Sequence, residues 1–236
     1  MRFGILVLLV AGAGCTPPPP AATPAPASAP LPSGLHWFRN SAEQRAAFRQ
    51  AYLLATERLR QLAPAEGAWA VVLDADETVL DNSPAQLRQA RAGRGYDPAA
   101  WNVWVRERAA AALPGSLEFT RAVHEMGGRV VIVSNRDAEV CDDTRANLQA
   151  LGIPADMVLC RAGESDKNAR FQAVAAGTAG LPPLRIVMWV GDNIQDFPGG
   201  SQALRDAPAE AFSRFGRDWI ILPNPMYGSW ERNPEM

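Results

Sequence analysis

The chain reads as an α/β protein: a parallel sheet flanked by helices, with a helix ahead of the first strand. Three observations predict it. Continuous apolar runs rich in β-branched residues recur at Ala70–Leu73, Arg129–Val133 and Leu184–Val190, and such runs mark strands covered on both faces. Helix-length segments stand between them, and strand and helix in turn imply a parallel sheet with right-handed crossovers. Each run also ends in polar residues: Asp74, Asp76 and Thr78 after the first, Ser134-Asn135-Arg136 after the second, Gly191-Asp192-Asn193 and Asp196 after the third. An open α/β sheet builds its site at the carboxyl ends of its strands.

The elements follow in order. Arg2, an apolar run from Phe3 to Ala11 and small residues up to Gly14 form a secretory leader, too short to be a membrane span. Cys15 is then the expected lipidated N-terminus, although Gly12 stands where a lipobox usually carries Leu. The several acyl chains of a lipoprotein hold it to a membrane, whereas one chain binds marginally. Thr16 to Gly34 is dominated by Pro and Ala, a composition that makes an extended spacer and no core. The division expected is leader 1–14, spacer 15–35 and one domain over 36–236, with an insert after the first strand at about 84–114. Ser41 followed by Gln44 is a capping-box signature, and Phe48, Ala51, Tyr52, Ala55, Leu59 and Leu62 recur at helical spacing until Pro64 and Gly67. Further helices are expected over Gly115–Met126, Asp137–Leu151, Asp166–Ala176 and in pieces from Ser201 to Phe215. Further strands are expected at Met157–Cys160 and Trp219–Leu222.

The acidic cluster after the first strand admits several readings. A calcium loop needs Gly at its sixth position and Glu at its twelfth, and Val79 and Ala85 stand there, which excludes it. A solvated turn, with Asp and Thr capping backbone donors, accounts for an isolated Asp-x-Asp-x-Thr. The partners downstream favour a site instead. Lys167, between the second and third polar strand ends, is the only lysine of the chain; every other basic side chain is Arg. A compact ammonium is not interchangeable with a planar guanidinium, so Lys167 is either a point charge chosen for a site or an ordinary surface lysine.

Asp-x-Asp-x-Thr, a strand-end Ser, a Lys and Gly-Asp-Asn-x-x-Asp, in that order, resemble the haloacid dehalogenase (HAD) superfamily of phosphohydrolases. The wording around them (DADETVLDNS, DPAAWNVWV, PGSLEF, GGRVVIVSNR and LPNPMYGSWE) is similar to the class C acid phosphatases of the lipoprotein e(P4) family, over most of the chain after about residue 36. The resemblance implies a HAD-like, Rossmann-like domain whose insert after the first strand is a small α-helical cap.

It also implies a chemistry. Asp74 is the expected nucleophile, forming an aspartyl-phosphate. Asp74, Asp192 and the backbone carbonyl of Asp76 are the expected Mg²⁺ ligands, and Asp196 orients them. Ser134 donates to a phosphoryl oxygen, and Lys167 offsets the charge of the intermediate. Asp76 protonates the leaving alkoxide and then activates water, which separates phosphatases from dehalogenases; an acidic pH optimum is expected from it. Trp101 and Tyr227 match positions where the family stacks a base, and Asp81, Asn135 and Arg136 are further candidate substrate contacts. Trp104 and Trp230 are expected to pack the cap. The substrates implied are nucleoside 5′-monophosphates, nicotinamide mononucleotide and other phosphomonoesters.

The remaining features bound the function. With 23 basic and 25 acidic residues, a net of −2, the chain carries no electrostatic footprint for a nucleic-acid polymer. Cys141 and Cys160 either pair, as export permits, or remain two buried thiols. His36 and His124 lie outside any phosphohistidine motif, and no HExxH, P-loop or GxSxG motif is present. The expected place is a bacterial membrane, outer-membrane most simply, through the lipid anchor. A homodimer is entertained as the assembly, although no residue selects it over a monomer. The competing class is a surface lipoprotein that captures haem or a host component; the chain has no CxxCH and only two histidines to ligate iron.

Overall fold

A computed structural model describes residues 30–64 and 66–235. The leader, Cys15 and residues 16–29 of the spacer lie outside the described residues.

Two helices precede the sheet. The first, α1 (Ser33–Asn40), starts inside the stretch read as spacer and buries Leu35 and Phe38. The second, α2 (Ala42–Leu62), is capped by Ser41, whose hydroxyl accepts from the Gln44 N–H at 3.1 Å. Its stripe of Phe48, Tyr52, Ala55 and Leu59 is buried as the spacing predicts. Tyr52 does more than pack, because its hydroxyl donates to the Thr78 carbonyl at 2.7 Å and so supports the loop after the first strand.

The core sheet has five parallel strands. They are β1 (Trp69–Leu73), β4 (Arg129–Asp137), β5 (Met157–Arg161), β6 (Arg185–Gly191) and β7 (Trp219–Ile221), in the spatial order β5-β4-β1-β6-β7. The chain builds outward from β1 to β4 and β5, then crosses to the other side for β6 and β7. The crevice at such a reversal is where open α/β sheets bind ligands.

Side-chain alternation divides the core into two layers. Trp69, Val71 and Leu73 join Ile132, Met188 and Val190 on the face covered by α2, α5 (Ser116–Glu125) and α6 (Cys141–Ala150). Ala70 and Val72 join Val131, Val133, Phe171 and Val174 on the opposite face, under α7 (Asn168–Ala176). A strand with both faces buried needs no polar alternation, hence the continuous apolar runs.

The cap leaves the sheet through a two-strand ribbon. Strand β2 (Leu80–Asp81) pairs antiparallel with β3 (Ala111–Ala112), and between them stand α3 (Ser83–Arg91) and α4 (Pro98–Glu107). Asp97 caps α4 by accepting from the Ala99 N–H at 2.9 Å, and Pro98 presets its first turn. The helical pieces expected over 201–215 are two 3₁₀ turns, Gln202–Asp206 and Ala209–Phe212. Pro208 between them, with no N–H to donate, fits this broken course. Cys141 and Cys160 are joined in a disulfide, Cα atoms 5.8 Å apart, that ties the start of α6 to β5. Among the described residues no helix is long and apolar enough to cross a membrane.

Candidate active site

Four strand ends meet around one pocket. Asp74 follows β1, and its backbone N–H donates to Val190 on β6 at 3.0 Å, which holds it at the sheet end. The chain then turns tightly: Glu77 takes a left-handed conformation (φ 52°), uncommon for a residue with a side chain. It is held there by burial, by its N–H donating to Leu80 O at 2.9 Å, and by its carboxylate accepting from the Asn82 N–H at 2.8 Å. Burial, then the charges of Asp76 and Asp192, push the Glu77 carboxyl well above the usual range.

Asp74, Asp192 and Asp196 offer carboxylate oxygens that all lie within 4.8 Å of one another. Lys167 is buried and donates to Asp74 and, at 2.7 Å, to Asp196. Burial works against its ammonium, but Asp196 and Asp74 outweigh that and hold its pKa above the ordinary lysine range. The Asp74 carboxyl is also shifted upward, but by burial, which pushes it up to about 7 against the pull of Lys167. Asp192 is pushed well above the carboxylate range by burial and by the charges of Asp196 and Asp74. One ammonium therefore leaves the three carboxylates short of positive charge.

The donor set fits a hard divalent cation, since it consists of carboxylate oxygens and no sulfur or imidazole. Asp192 is held in place by Thr78 Oγ1, 3.1 Å from its Oδ1, and by Asn224 Nδ2, 2.8 Å from its Oδ2. Asp196 is committed on both oxygens, to Lys167 and to the Asn193 N–H at 2.9 Å, the arrangement of an orienting carboxylate. Gly191 permits this approach: a Cβ there would lie 2.3 Å from Asp196 Cβ.

The pocket above has a volume of about 650 Å³. Asp74, Asp76, Asp192 and Asp196 line it, together with Asn135 and with the apolar groups of Trp101, Tyr96, Met226 and Tyr227. Trp101 comes from α4 and Tyr227 from the C-terminal loop, so cap and core each supply an aromatic ring. The Tyr227 hydroxyl donates to Glu77. Ser134 is buried at the end of β4, its Oγ accepting from the Arg136 N–H at 3.1 Å. Arg170 reaches from α7 to the Ser134 carbonyl and to Asn135 Oδ1, both at 2.6 Å, and so ties the lysine-bearing segment to the serine loop.

Three expectations need correction. Arg136 is not a lining residue; it is 1% exposed, and its guanidinium lies behind Asp76, with Nε 2.8 Å from Asp76 Oδ1 and Nη2 2.9 Å from Asn82 Oδ1. Asp81 is likewise outside the pocket lining and accepts from the Ser83 N–H at 2.8 Å where the cap begins. Trp230 does not pack the cap; it is 43% exposed in the C-terminal 3₁₀ turn. Trp104 is buried as expected, but it also donates to Asn82. Sequence reasoning missed Asn82, Glu77, Arg170, Asn224 and Tyr96; the first two sat in plain view inside DADETVLDNS, with burial alone distinguishing them. His36 and His124 are both exposed, and His124 is bound to Asp156 at 2.6 Å.

An Asp-x-Asp-x-Thr loop, a strand-end serine, a lysine and a Gly-Asp-Asn loop converging on a parallel sheet define a HAD-type fold and site. Residues 19–230 match the profile of the HAD superfamily, subfamily IIIB (acid phosphatase). The chain belongs to this acid phosphatase family. Its structure is similar to the class C acid phosphatase from Bacillus anthracis, with a TM-score of 0.75 and 34% identity over 84% of this chain and 85% of that one. The same enzyme with tungstate bound gives 0.74 and 34% over the same shares. Acid phosphatase 1 of Solanum lycopersicum is 26% identical over 159 residues, 66% of this chain and 57% of that protein's length.

Proposed function

We propose that the protein is a Mg²⁺-dependent acid phosphatase acting on nucleoside 5′-monophosphates, nicotinamide mononucleotide among them, through an aspartyl-phosphate on Asp74. The observation that carries this reading is the buried Asp74–Lys167–Asp196 contact, with Asp192 beside it and Asp76 two residues from the nucleophile. An Asp74 oxygen bonds to phosphorus as the ester oxygen leaves with its electron pair. Asp76 gives that oxygen a proton, and in the second step takes one from the water that attacks the aspartyl-phosphate. Lys167 and the Ser134 hydroxyl stabilise the charge on the transferred group. A Mg²⁺ held by Asp74, Asp192 and the Asp76 carbonyl would offset the repulsion between nucleophile and phosphoryl oxygens. The tungstate bound by the similar Bacillus anthracis enzyme supports an oxyanion ligand for this family.

Trp101 and Tyr227, one from the cap and one from the core, both line the pocket and favour a leaving group that carries a base, and stacking tolerates many bases. The leader and Cys15 support an exported lipoprotein of the e(P4) kind, held at the cell envelope by its acyl chains. The disulfide is consistent with an oxidising compartment. The test is Mg²⁺-dependent phosphate release from AMP, nicotinamide mononucleotide and p-nitrophenyl phosphate, with Trp101→Ala beside the wild type. A nucleotidase loses kcat/KM on the two nucleotides about tenfold more than on the nitrophenyl ester. Equal losses would reduce the reading to a general phosphatase.

A further inference from the structure

Asp76 is held from behind by a buried amide. Asn82 is fully buried, and every polar atom of its side chain has a partner. Its Nδ2 donates to Asp76 Oδ1 at 2.9 Å and to Leu80 O at 3.3 Å; its Oδ1 accepts from Arg136 Nη2 at 2.9 Å and from Trp104 Nε1 at 2.8 Å. An amide oxygen set between two obligate donors cannot trade places with its NH₂, so this side chain has one orientation. Asp76 Oδ1 in turn faces two donors, Asn82 Nδ2 and Arg136 Nε. A proton on that oxygen would point at N–H groups. The other oxygen, Oδ2, has only Ser134 Oγ at 3.5 Å, long for a hydrogen bond.

We infer that Asn82 is a positioning residue for Asp76, reserving Oδ2 as the oxygen that exchanges the proton, and that the Trp104 indole ties this arrangement to the cap. The inference rests on the reading of Asp76 as acid and base. Trp104 sits on α4 less than one turn from Trp101, which lines the pocket. The helix that meets the leaving group is thus hydrogen-bonded, through one buried amide, to the residue that protonates it. Arg136 completes the hold from β4, with Thr144 Oγ1 3.3 Å from its Nη1.

Leaving-group dependence tests this. An alkoxide must be protonated as it departs and p-nitrophenolate need not be, and kcat/KM covers the steps only through departure. For Asn82→Ala, kcat/KM is expected to fall about 10²-fold on AMP and less than about threefold on p-nitrophenyl phosphate. Trp104→Phe keeps the ring and deletes the N–H; its loss is expected to be selective in the same direction, about tenfold. Should Asn82→Ala not fold, the Trp104→Phe ratio decides alone. Equal losses on the two esters in a folded variant, with an active wild type, overturn the positioning role alone. A wild type inactive on both esters overturns the phosphatase reading and this inference with it.

Discussion

The Lys167 ammonium bridges Asp74, at the end of β1, and Asp196, in the 3₁₀ turn after β6. All three side chains are buried, so the charges meet with little screening by water. Replacing the ammonium by guanidinium would bring a larger, planar group into the same space. Lys167→Arg is therefore expected to lower kcat on p-nitrophenyl phosphate about 10²-fold, because the cation no longer sits where the transition-state charge develops. Steady-state kinetics on the folded variant checks it.

Gly191 gives a second test of the same contact. An added Cβ would lie 2.3 Å from Asp196 Cβ and 2.4 Å from its Oδ2, so one of them must move. Gly191→Ala is expected to displace Asp196 from Lys167 and to cost both activity and about 1–3 kcal/mol of stability, the range for an overpacked site. Unchanged kinetics and an unchanged melting temperature would contradict the packing described.

The raised carboxyls predict how pH and metal act together. Asp74 stands at about 7 when folded against an ordinary 3.8, and Asp192 is shifted in the same direction, burial being the leading cause of both. Between those values the folded state binds more protons than the unfolded chain. The contribution of Asp74 is fully present below about pH 4 and is lost as pH rises through about 7; that of Asp192 is lost in the same direction. EDTA-treated protein should lose melting temperature across that window, and the increment restored by Mg²⁺ should grow with pH. Calorimetry with and without metal measures it; a metal increment independent of pH would contradict the charge deficit.

The Cys141–Cys160 bridge closes a loop of 19 residues in sequence separation. By loop-closure entropy its removal costs about 3 kcal/mol. Cys141→Ser is expected to lower stability by that order in denaturant unfolding, while leaving kcat near wild type, because neither cysteine lines the pocket.

The sheet and the acidic cluster were legible because both depend on local order: doubly buried strands read as unbroken apolar runs, and their ends carry the carboxylates. Arg136 shows where local reading stopped. It adjoins Ser134 and Asn135 in a motif that suggests substrate contact, yet β4 continues to Asp137 and alternates, with Ser134 and Arg136 buried and Asn135 exposed. The strand period contained that answer; the site motif concealed it. Asn82 was out of reach, since its role depends on Trp104 and Arg136, 22 and 54 positions away. The disulfide was equally closed to inspection, because pairing depends on a distance between Cα atoms that only the packing of α6 on β5 establishes.

The most direct test of the mechanism is a rapid-mixing experiment on Asp76→Asn with p-nitrophenyl phosphate and Mg²⁺. This ester needs no acid to leave, but the aspartyl-phosphate needs a base to hydrolyse. An aspartyl-phosphate mechanism on Asp74 gives a burst of about one equivalent of p-nitrophenol followed by a stall, with phosphate on the peptide carrying residue 74 and none in Asp74→Asn. A wild type that turns over while the variant gives no burst, or a phosphoryl group found on another residue, would contradict Asp74 as the nucleophile.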